Sequence, residues 1–77
     1  MSFFEELRKG SPFHSVDERT DRSLTIRPVR NDDDSFDAFQ RVVLDAIANA
    51  STDYKIRPHE TTQRGRRMYD FAAVWLI

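Results

Sequence analysis

The chain has 77 residues, 32% of them charged, yet 12 Lys and Arg against 13 Asp and Glu leave a net charge of −1. That length fits one domain, and the near-cancelled charge argues against a dedicated nucleic-acid arm or an acidic duplex mimic. The absence of cysteine excludes disulfides and thiolate metal sites together.

A domain this small buries only about 60–65% of the surface its unfolded chain exposes, and such domains commonly need a supplementary staple. His14 and His59 stand too far apart for ligand spacing, so no cofactor or metal is expected, and oligomerisation or docking on a partner is the expected supplement. Glu5, Glu6, Arg8 and Lys9 are incompatible with an apolar signal segment, and the longest apolar run, Phe71 to Ile77, falls far short of the roughly 20 residues of a membrane span. A reducing, cytoplasmic setting is expected.

Ser2 to Lys9 predicts a short helix, with Ser2 as N-cap, Glu5 at the capping-box position and Gly10 as the stop. Its apolar stripe is Phe3, Phe4 and Leu7. Residues 10–22 predict an irregular connector with Phe13 and Val16 as its apolar anchors. Ser23 to Val29 alternates, with Leu24 and Ile26 on one side, until Pro28 limits it. The strongest pattern is a helix over about 35–50, capped by Asp34, with Asp32 and Asp33 where a helix start favours negative charge. Phe36, Phe39, Val43, Ala46, Ile47 and Ala50 form its apolar face, widened by Val42 and Leu44. Tyr54 to Glu60 predicts a second strand, with Tyr54 and Ile56 inward, Lys55, Arg57 and His59 outward, and Pro58 as an interruption. Polar residues 61–66, including Gly65, predict a hairpin turn, and Arg67 to Ile77 a third strand.

The expected fold is therefore α+β: residues 1–22 as N-terminal helix and connector, then a β-α-β-β domain over 23–77 with a three-stranded sheet on one main helix. Proline belongs at sheet edges or strand ends, so the two proline-bearing strands should flank the third in the order 1-3-2. The first connection is then a split right-handed crossover. On the third strand, Tyr69, Phe71, Ala73, Trp75 and Ile77 are expected to cover the helix. Met68, Asp70, Ala72, Val74 and Leu76 would make a spare face, covered by the N-terminal helix or by a second molecule.

Catalysis finds no support in the sequence. Gly10 and Gly65 are the only glycines, so there is no phosphate cradle, and His59-Glu60 does not extend to a zinc-binding motif. Asp32 to Asp34 lack the glycine and terminal glutamate of a calcium loop and read as helix capping. Charge is segregated: residues 31–50 hold five Asp against Arg41, a net of −4, whereas 51–77 hold Lys55, Arg57, Arg64, Arg66 and Arg67 against Asp53, Glu60 and Asp70, a net of +2.

Arg67-Met68-Tyr69-Asp70-Phe71 resembles the sheet-borne aromatics of RNA-recognition motifs, which would imply bases stacking on the sheet. Asp70 replaces a small residue of that pattern, and the first strand lacks its aromatic. The β-α-β-β order over about 23–77, with the helix text Phe39 to Ala50, resembles dodecins. That resemblance implies a small flavin-binding oligomer, although Tyr54 stands near the place of the flavin-stacking tryptophan.

The residues favour a non-enzymatic module that docks on another protein, such as a small viral or bacterial accessory regulator or inhibitor. The expected docking surface joins Arg57, Arg64, Arg66 and Arg67 to the apolar face around Val74 and Leu76. The alternative uses the same arginine-rich hairpin against nucleic acid; a dodecin-like ligand-binding oligomer stands third. Self-association through the spare sheet face is also expected.

Overall fold

A computed structural model describes residues 3–77, the side chain of Glu18 excepted. The sequence patterns resolve into α1 (Phe3–Arg8), β1 (Ser15–Arg19), β2 (Ser23–Arg27), α2 (Asp33–Ala48), β3 (Tyr54–Gln63) and β4 (Arg66–Leu76). The N-cap role expected of Ser2 lies outside the described residues. The strands form one antiparallel sheet in the order β1-β2-β4-β3. The expected α+β class holds, and so does the central position of the last strand between the other two of the β-α-β-β unit.

The sheet has four strands rather than three. Part of the expected connector is β1, which pairs with β2 through a tight turn where the Thr20 N–H donates to Ser23 O at 2.8 Å. Val16 packs against the core opposite Ile26, but charged residues at 17–19 conceal the strand in the sequence. Since β1 covers it, β2 is interior, and Pro28 falls just beyond its end, where no ladder donor is needed. β3 is the edge on the far side, and it runs through Pro58, which pairs with Ala72.

α2 starts earlier than expected because Asp32, not Asp34, is its cap. The Ser35 N–H donates to Asp32 Oδ1 at 2.8 Å; this bond, with further bonding from the Ser35 and Arg30 side chains, holds the carboxyl below the usual range. Asp33 and Asp34 fill the first turn, beside unpaired backbone N–H groups. Phe36, Phe39, Val43 and Ala46 form the buried stripe, whereas Leu44 and Ile47 stay exposed, so the stripe is narrower than the full apolar set.

The core lies between that stripe and Leu24, Ile26, Ala72 and Val74 of the sheet, with Phe4 and Leu7 of α1 in the same cluster. α1 sits on the same side as α2. Phe3 stacks on Tyr54 at 6.3 Å between ring centroids, and the Tyr54 hydroxyl donates to Ala46 O at 2.6 Å. His14, buried, ties α1 to β1: its Nε2–H donates to Leu7 O at 2.9 Å, so Nδ1 accepts from the Ser11 hydroxyl at 2.8 Å. Gly10, at φ +73°, lets the chain leave α1 toward this clamp.

Tyr54 gives the fold a pH dependence. Burial raises its phenol above the ordinary value of 10.0. The folded state therefore keeps a proton that the unfolded chain has lost, so stability is intact below about pH 10 and declines as pH rises from there through the folded pKa. Tyr54→Phe removes the hydroxyl that satisfies a last-turn carbonyl of α2, which is expected to cost about 1 kcal/mol at neutral pH. The same variant should lose less stability than the parent on going from about pH 8 to about pH 11. Urea midpoints across that range check both expectations, and equal alkaline losses in the two proteins would acquit the phenol.

Candidate binding face

The two faces of β4 are the reverse of those expected. Ala72 and Val74 are fully buried under α2, with Leu76 packed beside them. Alternation then sends Phe71, Ala73 and Trp75 to the other side, where each stays half-buried and outside the core cluster. Val74 and Leu76 thus belong to the domain's own core and not to a free docking surface. The reason is size: Ala72 and Val74 let Phe39 and Val43 approach the sheet closely, whereas a central Trp75 would hold the helix away. The N-terminal helix packs on its own domain, but on the α2 side, so it leaves the second face open.

A bulge divides the aromatic row expected of β4. Pairing runs Ala72 with Pro58, Phe71 with His59, then Tyr69 with Glu60, leaving Asp70 as the extra residue. Tyr69 packs toward the core in consequence. Its backbone is held by Gln40 of α2: the Tyr69 N–H donates to Oε1 at 2.7 Å, and Nε2 donates to Tyr69 O at 2.8 Å and to Phe36 O at 2.9 Å. Asp70 is displaced to the open side, where its Oδ1 lies 2.7 Å from His59 Nδ1. The His59 ring stacks on Phe71, with centroids 4.5 Å apart and planes 6° from parallel. His59, expected only to point outward, is thus held in place.

The open face has a regular layout. Trp75 is flanked by Ser23 of β2 and Lys55 of β3, Ala73 by Thr25 and Arg57, and Phe71 by His59. Arg27 borders the same face, 3.6 Å from Asp17. Lys55 and Arg57, both exposed on an edge strand, face no carboxylate among the described residues. A solvent-open cleft lined by Arg27, Val29, Arg30, Phe36, Asp70 and Phe71 continues the face at the Phe71 end.

The hairpin arginines are spent differently. β3 and β4 join through Arg64 and Gly65 alone, at φ 52° and 77°, a two-residue turn tighter than expected. This turn brings the basic tip onto the acidic start of α2. Arg64 pairs with Asp33 at 2.5 Å, Arg66 with Asp37 at 3.9 Å, and Arg67 with Glu60 at 2.6 Å. The acidic and basic stretches, segregated along the sequence, meet at this end of the fold. The structure therefore separates Arg57, on the open face, from Arg64, Arg66 and Arg67 at the tip.

Among the described residues no three His, Asp or Glu side chains converge as a metal site would require. No helix among them is long and apolar enough to cross a membrane. No protein-family model matches the chain, and no curated protein or solved structure matches it significantly.

Proposed function

We propose that this protein is a non-enzymatic binding module whose working surface is the open face of its sheet. The observation that carries the reading is the half-buried row Phe71-Ala73-Trp75 on the central strand, outside the core cluster and bordered by the exposed cations Lys55 and Arg57. Aromatic and arginine side chains are the usual anchors of recognition surfaces, and an apolar row of this kind uncovered in a small domain favours association. The hairpin arginines each already face a carboxylate of the same chain, so Lys55 and Arg57 are the exposed cations best placed to meet a partner's negative charge.

Site-specific photo-crosslinking tests the reading. A crosslinker at Ala73 is expected to give adducts in cells that make the protein, and one at Asp45, on the outer side of α2, is not. Adducts from position 45 or from the hairpin tip alone, with none from 73, would place the working surface elsewhere.

A further inference from the structure

We propose that the open face binds single-stranded nucleic acid, with bases on the Trp75 ring and on the His59–Phe71 stack and phosphates beside Lys55 and Arg57. The inference rests on the open face being the working surface, and adds the ligand class.

Three features of the face converge on that chemistry. Phe71 and Trp75 lie four residues apart on one strand, about 13–14 Å at the rise of an antiparallel strand. Ala73 between them is small enough to leave room for an intervening base. Along β3 the nitrogen-bearing side chains keep step with that row: Lys55 beside Trp75, Arg57 beside Ala73 and His59 beside Phe71, at about 7 Å per step and roughly 5 Å to the side. This arrangement puts the two cations Lys55 and Arg57 alongside a stacking platform, the combination by which single strands are held without base-edge readout. Thr25 and Ser23, on the other flank of β4, supply hydroxyls rather than carboxylates.

The distribution of charge selects the ligand's orientation. On the helix side Asp34 and Asp45 face no cation among the described residues, whereas Asp70 and Asp17 on the open side lie against His59 and Arg27. A polyanion is therefore repelled from the α2 side and accepted on the sheet side. The weak overall charge confines the attraction to these two cations, so binding through a small number of phosphates is expected. Duplexes are disfavoured, since their bases are not available to a flat platform.

Fluorescence anisotropy with labelled oligothymidylate and oligouridylate of about ten nucleotides, a length suited to one small sheet platform, tests the assignment. Saturable binding is expected at low salt, with a slope of log affinity on log salt near −1.4, or about −0.7 for each of two phosphates. Trp75 is the single tryptophan of the chain, so its emission should change on binding. Trp75→Ala and Phe71→Leu should each weaken binding roughly ten- to a hundredfold, and the double variant Lys55→Gln/Arg57→Gln should abolish the salt slope. Phe71→Leu keeps an apolar side chain, which separates lost stacking from lost folding. No saturable binding of either oligonucleotide, with adducts still forming from Ala73, would overturn the nucleic-acid assignment and leave the working surface standing. Binding that survives Trp75→Ala but is lost in Arg66→Ser/Arg67→Ser would overturn both.

Discussion

Phe39→Ala is expected to remove a large part of the domain's stability, whereas Trp75→Ala leaves most of it in place. Phe39 is fully buried at the centre of the α2 stripe, above Ala72 and Val74. These small partners cannot move in to fill a missing ring, so the cavity term is added to the lost transfer energy, about 3–5 kcal/mol together. A chain of this size has about 4–12 kcal/mol of stability in all. Trp75 is the larger residue, but it is only half-buried, between Ser23 and Lys55 and outside the core cluster, so its truncation opens no enclosed cavity. Its loss is expected to cost roughly 1 kcal/mol. Thermal unfolding of both variants, followed by far-ultraviolet circular dichroism, checks the contrast. Comparable destabilisation of the two would mean that the aromatic face is covered, and the proposed working surface would fall with it.

That contrast also marks where sequence reading succeeds and where it stops. The α2 stripe, the inward Tyr54 and Ile56, and the central place of β4 follow from periodicity and from two prolines, signals contained within single segments. The two faces of β4 do not. Phe71, Ala73 and Trp75 against Ala72, Val74 and Leu76 are both apolar rows, so alternation identifies two faces without saying which one meets a helix. Aromatic mass favours the wrong answer, and helix clearance decides. The small residues Ala72 and Val74 opposite the large Phe39 are the clue, and it lies in complementarity between segments 33 residues apart rather than in either one. β1 escapes for a related reason: among its described side chains only Val16 joins the core, so its apolar period is too short to register. The pairing of Arg64 and Arg66 with Asp33 and Asp37 depends on a tertiary meeting of hairpin and helix, which charge counts along the chain cannot supply.

Gln40→Ala is expected to cost about 2–3 kcal/mol, the second-largest loss of any single change considered, although the residue is neither apolar nor fully buried. The β2 ladder ends at Ala72, so the Tyr69 N–H and C=O are bonded from the helix, and one side-chain amide serves both. Alanine orphans a donor and an acceptor at once, in a partly buried place where water reaches them poorly. Gln40→Glu separates the two halves: a carboxylate still accepts from the Tyr69 N–H but cannot donate to Tyr69 O or to Phe36 O. Its loss should therefore fall between those of the parent and the alanine variant. Hydrogen exchange at the Tyr69 amide provides the second readout, fast in Gln40→Ala and slow in both parent and Gln40→Glu. Because the bulge sends Tyr69 inward and Asp70 outward, relaxing it would return the strand to simple alternation and exchange those two side chains between faces. Asp70 would then leave His59, and the stack of His59 on Phe71 would lose its anchor. A polar residue on the helix side thus sets the geometry of the aromatic face on the other, and Gln40→Ala should weaken any binding at Phe71 without touching it.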